Sequence, residues 1–284
     1  MIITKIIGGL GNQLFQYAAG KALAVYHKTT LKLDLSGFDE YRLRNFDLTA
    51  FNTEYELAKK NEILQHSQSS FFKKIRNRIA SPSQTHYYRE RHFHYDKSFL
   101  LHPYDAYMKG YWQSEKYFKN IEGIIRKEFS FKENFIKNVI GEGKEITKKQ
   151  SIAVHIRRGD YANNGAIRMH GVLGKEYYEA AISIMKKSIS NAEFYIFSDS
   201  MQWVNENISI PNAISVSGNL TRTHFEDLYL MSQCRHNIIA NSSFSWWGAW
   251  LNNNPNKIVI APKKWFNKGP KDTQDLIPKE WLKI

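Results

Sequence analysis

The sequence holds a single cysteine, Cys234, so no internal disulfide can form, and this fits a reducing compartment. It lacks any run long enough and apolar enough to span a bilayer. No leader is expected either, because Met1 to Ile7 runs straight into glycines, without an extended apolar region or a cleavage site. The expected location is therefore cytoplasmic, with peripheral contact at an anionic inner membrane face left open by charge. Low-complexity tracts and short-period repeats are absent, and so is a D-x-D metal motif. Acidic residues are scarce, 27 against 40 Lys and Arg, which leaves a formal charge of +13. That balance suits an anionic ligand, an anionic membrane surface or nucleic acid. The lysines are scattered and no nucleic-acid motif is present, so nucleic acid is not the expected partner.

What is present describes a globular chain of 284 residues, enough for one large domain or two ordinary ones. Its most informative stretch is S-I-A-V-H-I-R-R-G-D-Y, from Ser151 to Tyr161. Ser151 to Ile156 reads as a short buried strand, apolar and β-branched, ending in a charged turn. His155, Arg157, Arg158 and Asp160 then fall at a strand end, where open α/β sheets place their ligand crevice. Two adjacent arginines cannot both be desolvated cheaply without an anion, and a diphosphate offers oxygens that match the guanidinium fork. A solvated basic turn is the plainer reading of R-R-G-D by itself.

Earlier in the chain, Ile2 to Ile7 reads as a strand, Gly8 to Gln13 as a glycine turn and Leu14 to His27 as a helix. Glycines there allow close backbone approach, and the helix start offers free N–H groups to phosphate. The spacing departs from G-x-G-x-x-G, and a tight turn for packing remains open. Leu31 to Leu35 alternates as a second strand, and Thr53 to His66 has a helical stretch. Phe71 to Arg78 is basic and amphipathic. His92 and His94 alternate within an aromatic cluster. No cysteine or acid is placed to complete a tetrahedral set, so they are read as strand residues and no metal is expected. Lys109 to Gln113 ends another strand, and Ser114 caps a helix running toward Phe129. Lys132 to Gln150 reads as the connection between halves, with the boundary near Lys148, giving domains 1–148 and 149–284.

The second half alternates strand and helix. Lys175 to Ile189 is a helix with Tyr178, Ala181, Ile182, Met185 and Ile189 on one face. Strands follow at Glu193 to Asp199, Ala213 to Val216, Asn237 to Asn241 and Lys257 to Ala261, with helices at His224 to Arg235 and Ser242 to Trp250. That pattern predicts a parallel, doubly wound sheet. Its strand ends offer Arg157 and Arg158 for phosphate, and Asp199 for a ribose diol or guanine edge. Asn241, Ser242 and Ser243 add side-chain donors and helix N-terminal amides. Taken singly, Asp199 as a strand-end cap and the serines as an N-cap are the simpler readings. Their coincidence at successive strand ends favours a ligand. Trp246, Trp247 and Trp250 keep helical spacing and read as core.

Together these motifs resemble glycosyltransferase family eleven, the alpha-1,2-fucosyltransferases, over nearly the whole chain. The H-x-R-R-x-D motif stands at His155 to Asp160, and the G-L-G-N-Q residues of G-x-L-G-N-Q at Gly9 to Gln13. G-Y-W-Q-S-E-K-Y-F spans Gly110 to Phe118, and a further block runs from Asp227 through Gln233 and Cys234 to Trp246. The resemblance implies a GT-B-like α/β fold with two Rossmann-type halves facing across a cleft, the first on the acceptor side and the second binding the donor. It implies GDP-β-L-fucose as donor, a galactose-terminated oligosaccharide or lipid-linked glycan as acceptor, and an inverting α-1,2 transfer serving surface polysaccharide synthesis. It also implies no metal cofactor. By the same resemblance, Arg158 binds the β-phosphate, His155 and Arg157 shape that pocket, and Asp199 reads the nucleotide. Ser243 and Phe244 line the donor pocket, and Gly11 and Asn12 approach from the first half. Inverting transfer also needs a proton acceptor. The loop from Tyr161 to Gly171 has no carboxylate, so Asp160, His170 or no strong base at all stay open. Another linkage, or a nucleotide- or nucleic-acid-binding protein without turnover, are the alternatives.

Overall fold

A computed structural model describes residues 1–40, 44–66, 84–158 and 171–284. The chain forms two compact units, Met1–Ser130 with Asp272–Leu276, and Phe131–Lys271 with Ile277–Ile284. The division expected near Lys148 falls instead after Ser130. Ile136, Val139 and Ile146 explain the difference, because they are buried against Ala153, Tyr195, Phe197 and Leu230 of the second unit. The segment expected to be a connection is part of a core.

The first unit carries a five-stranded sheet in the order β3-β2-β1-β5-β4. Its strands are β1 (Ile2–Lys5), β2 (Leu31–Asp34), β3 (Glu56–Leu57), β4 (Tyr87–Arg89) and β5 (Tyr107–Lys109). All the pairings are parallel, with Ile2 opposite Leu31 and Ile3 opposite Tyr107. Helix α1 (Leu10–Tyr26) starts earlier than expected. The N–H groups of Asn12 and Gln13 both donate to the Gly9 carbonyl, so the turn is only Gly8 and Gly9, with Gly8 at φ +81°. Gly11 and Asn12 therefore belong to the first helical turn. Between Glu56 and His66 the expected helix is confined to Lys60–His66, because Glu56 and Leu57 extend the sheet edge beside β2. Ser114 does cap, its Oγ accepting from the Lys116 N–H. The segment beyond it is broken into tight turns at Glu115–Tyr117 and Lys119–Ile121 before a helix at Glu122–Glu128, and Tyr117 and Phe118 are both buried there. Phe71 to Arg78 lies outside the described residues.

Helix α1 packs close to its sheet through Gly20. A β-carbon there would lie 2.1 Å from Thr4 Oγ1 and 2.9 Å from Leu31 Cδ1. Alanine would gain about 1 kcal/mol of helix propensity, but forcing atoms into a packed interior costs about 1–3 kcal/mol. A 2.1 Å approach to a β-branched side chain on the central strand puts the cost at the upper end. Gly20→Ala is thus expected to lower the denaturant midpoint. An unchanged midpoint would show that the helix can move off the sheet freely.

The Asp272–Leu276 segment is bound into this unit by specific bonds. The Phe93 and Tyr95 N–H groups donate to Asp272 and Asp275 at 3.0 and 2.9 Å. Ser114 Oγ donates to the Asp275 carbonyl at 2.7 Å, and Lys116 pairs with the Asp275 carboxylate.

The second unit has the six-stranded order β11-β10-β9-β6-β7-β8, again parallel throughout. Its strands are β6 (Ser151–Ile156), β7 (Glu193–Ser198), β8 (Ile214–Ser215), β9 (His236–Ile238), β10 (Val259–Ala261) and β11 (Leu282–Lys283). β11 has no distinctive sequence pattern and was not expected. Beyond a single turn at Glu133–Ile136, the described helices are α2 (Ile140–Lys148), α3 (Lys175–Ser188), α4 (Met201–Asn207), α5 (His224–Gln233) and α6 (Ser243–Leu251). β6 is buried on both faces, as a central parallel strand must be. Ile152, Val154 and Ile156 pack with the expected α3 face of Tyr178, Ala181, Ile182 and Met185. Ala153 packs with Leu230 and Met231 of α5 on the other side. Trp246, Trp247 and Trp250 are buried, so the core reading of these rings holds. No described helix is long and apolar enough to cross a membrane.

Candidate active site

In the second unit the chain proceeds from β6 to β7 to β8, then returns to place β9 on the other side of β6. The carboxyl ends of β6 and β9 flank this reversal, which is where doubly wound sheets bind ligands. His155, Arg157 and Arg158 arrive from β6, Asp199 from β7, and Asn241, Ser242 and Ser243 from the turn between β9 and α6. The structure therefore brings these expected residues to one sheet edge. Gly11 and Asn12 belong to the first unit. Asp160 and His170 lie outside the described residues.

The two arginines are held differently. Arg157 Nη1 pairs with Asp199 Oδ2 at 2.9 Å, while Asp199 Oδ1 accepts the Arg158 N–H at 2.8 Å. Asp199 thus fixes the turn after β6 with both oxygens. Arg158 lays its guanidinium over Trp203 at 4.0 Å and donates from Nη1 to the Leu173 carbonyl at 3.3 Å. Among the described residues no carboxylate pairs with it. A ring face and one carbonyl orient a guanidinium without neutralising its charge.

His155 is buried, and its Nδ1 has no hydrogen-bond partner among the described residues. Burial, aided by the Arg157 charge, pushes its pKa down to about 3, so the ring is neutral in the physiological range. A buried polar atom without a partner at a strand end marks a place for a ligand's donor or acceptor. The ring lies 5.6 Å from that of Phe244, which places Phe244 beside this end of β6.

Asn241 acts otherwise than expected. Its Nδ2 donates to the carbonyls of Gly171 and Trp265 at 3.2 and 3.1 Å, so the amide ties two loops together. Ser242 is the N-cap of α6 but makes no side-chain cap bond. Beneath the β7 end, Ser217 Oγ accepts the Ser198 N–H at 3.1 Å and donates to Asp227 at 2.8 Å. Asp227, where one family-like block begins, thus supports the residue before Asp199. Trp203 and the Leu173 carbonyl were missed by sequence reading. Trp203 sits on a short helix with no motif, and a backbone carbonyl leaves no compositional trace.

His92 and His94 need correction on two points. They come after β4 rather than lying within it, and an acid does stand beside them. His94 Nδ1 is 2.8 Å from Asp272 Oδ2, the two imidazoles stack at 4.9 Å, and the three side chains could share an ion. Asp272 lies far along the chain, beyond the reach of spacing arguments. Its Oδ2 already accepts the Phe93 and His94 N–H groups, so the cluster serves as a clasp on the returning segment.

Two parallel-sheet α/β units, the second with a strand-end arginine pair at its switch point, form a GT-B-like α/β fold. The sequence matches Glycosyl transferase family 11 across residues 1–284, and the chain belongs to that family. Its relatives include the alpha-1,2-colitosyltransferase of Escherichia coli, 34% identical over 100% of this chain and 99% of that protein. The human galactoside alpha-(1,2)-fucosyltransferase 1 is 28% identical over 52% of this chain and 44% of its own length. Among solved structures, NodZ alpha-1,6-fucosyltransferase co-crystallized with GDP matches at a TM-score of 0.53 and 16% identity, covering 87% of this chain and 90% of that one. At that identity the likeness shows the fold.

Proposed function

We propose that the chain transfers L-fucose from GDP-β-L-fucose to the 2-hydroxyl of a terminal galactose on an oligosaccharide or lipid-linked glycan, inverting the anomeric centre. The observation that carries this reading is Arg158, oriented by Trp203 and Leu173 but unpaired by any carboxylate among the described residues. As the bond to the sugar breaks, negative charge grows on the departing diphosphate. A fixed guanidinium and the amides at the start of α6 meet that charge without reorganising. The neutral His155 ring gives the same pocket a hydrogen-bonding group that adds no charge. Arg157 and Asp199 hold the turn that aims Arg158. The α-1,2 linkage in the names of two relatives and GDP in a structural neighbour support donor and linkage. The formal charge of +13 suits work at an anionic membrane surface, which in this reading is the cytoplasmic face.

A screen of sugar nucleotides against acceptors, with the linkage determined by NMR, tests the reading. GDP-fucose should be used, and GDP-mannose and UDP-galactose should be poor. Because Arg158 and helix amides carry the leaving charge, activity should persist in excess chelator. Equal turnover of a UDP-sugar, or strict dependence on Mg²⁺ or Mn²⁺, would overturn the pocket assignment. The colitosyltransferase relative favours one second reading, transfer of colitose to the same position. Preference for a colitose donor in the screen would establish it. Binding of nucleotide without turnover of any donor would remove the enzyme reading.

A further inference from the structure

Within the first unit, the loop after β4 carries His92 and His94, and the returning segment brings Asp272 against them. The loop is fixed through its backbone. The Phe93 and His94 N–H groups donate to Asp272 Oδ2 at 3.0 and 3.3 Å. The Tyr95 N–H donates to Asp275 Oδ2 at 2.9 Å, and the Asp96 N–H to the Tyr117 hydroxyl at 3.1 Å. His94 Nδ1 stands 2.8 Å from Asp272 Oδ2.

These bonds account for closure of the segment but not for His92. That residue is exposed and makes no hydrogen bond among the described residues. Yet its ring lies nearly parallel to that of His94, 4.9 Å between centres and 14° between planes. One nitrogen from each imidazole and one carboxylate oxygen all lie within 4.8 Å of one another. A clasp needs Asp272 alone, whereas a metal site needs all three.

We propose that His92, His94 and Asp272 form a binding site for one divalent transition ion, zinc or a chemically similar one. Two imidazole nitrogens and one carboxylate oxygen suit zinc, cobalt or nickel, while magnesium and calcium prefer oxygen throughout. Three protein ligands leave a fourth position to water. Ligand atoms about 2.0–2.1 Å from a tetrahedral ion stand about 3.3–3.4 Å apart. His94 Nδ1 and Asp272 Oδ2, now at 2.8 Å, need only part slightly, and the exposed His92 ring can rotate to close the third side. The ion takes the place of the hydrogen between Nδ1 and Oδ2, and the neutral imidazole keeps its proton on the other nitrogen. His94 and Asp272 are 178 residues apart, so an ion there closes a long loop of chain. Unfolded chain does not hold the three ligands together, so binding stabilises the folded form. The role is structural. It goes beyond the transfer proposed above and does not rest on it.

The test uses the untagged full-length protein, stripped with chelator and dialysed, then titrated with zinc chloride in a calorimeter. One ion should bind per chain. Magnesium and calcium should not compete. Zinc at about a hundredfold excess over its dissociation constant should raise the melting temperature by about 5 °C. Cobalt should give the visible absorption of a site with few ligands. His92→Ala should melt with the wild type when metal-free, because the ring makes no hydrogen bond. It should bind zinc about tenfold or more weaker and lose both the melting gain and the cobalt spectrum. Asp272→Asn should lose the ion too. If that variant fails to fold, His92→Ala still decides. Failure of the wild type to bind zinc would overturn the proposal. So would unchanged zinc affinity in His92→Ala, which would place the ion elsewhere, or equal competition by magnesium. Turnover in excess chelator, expected above, should be untouched below the melting range.

Discussion

Arg158→Lys should cost about a hundredfold or more in kcat and should also raise the donor KM. Lysine keeps the positive charge but loses the planar fork and the flat face that lies over Trp203 at 4.0 Å. The ammonium of lysine cannot grip two phosphate oxygens in one plane. If the contact strengthens as the diphosphate departs, its loss must appear in turnover as well as in binding. The variant should melt close to the parent, because Arg158 stands at the sheet edge and forms no part of the buried core. Arg158→Ala should be worse still. A well-folded Arg158→Lys enzyme with full activity would remove the central residue from the mechanism.

Asp199→Ala has a smaller expected effect than Arg158→Lys and acts by a different route. The carboxylate holds the Arg157 guanidinium and the Arg158 N–H at once, at 2.9 and 2.8 Å. Removing it takes one acceptor from a partly buried cation and one from an amide, a loss of about 1–3 kcal/mol. The turn that aims Arg158 should loosen, so donor affinity should fall about tenfold or more, by the conversion of about 1.4 kcal/mol per decade. Turnover at saturating donor should fall less, because bound nucleotide re-forms much of the pocket. Isothermal titration with GDP, set beside kcat, separates the two. A collapse of kcat with GDP affinity unchanged would make Asp199 a participant in the chemical step.

The placement of the candidate residues in the second unit was largely legible from residue order. Ser151 to Ile156 is apolar and β-branched, so its strand is recognisable, and the residues just after a central parallel strand sit at the crevice edge. The helix over Lys175–Ser188 was equally plain from its buried face. Relations between distant residues could not be read. Asp199 was recognisable as a strand-end acid, but that its two oxygens bind Arg157 and the Arg158 amide depends on the β6–β7 register. Asp272 beside His94, and the Gln113–Asn12 bond, depend on tertiary folding in the same way. Glu90 is recognisable as an acid directly after an aromatic strand. Its two amide bonds, however, come from Tyr111 and Trp112, and a left-handed tryptophan has no sequence signature. Helix starts shifted for a simpler reason. Gly9 and Gly11 look like turn residues, yet Gly11 is carried inside α1 by the bonds from Asn12 and Gln13 to Gly9.

The returning segment Asp272–Leu276 has a consequence for how such a chain can be recombined. Because the chain enters the second unit after Ser130, comes back at Asp272 and leaves again after Leu276, neither unit is one continuous stretch. A chimera that exchanges everything after Ser130 with a relative would import foreign residues at the positions of Asp272 and Asp275. The host's Phe93, His94, Tyr95, Ser114 and Lys116 would then face partners they were not selected with. Exchange of the second unit is therefore a two-piece operation, in which residues 272–276 travel with the first unit. Inheritance of the two units in this chain is coupled by five residues, 272–276.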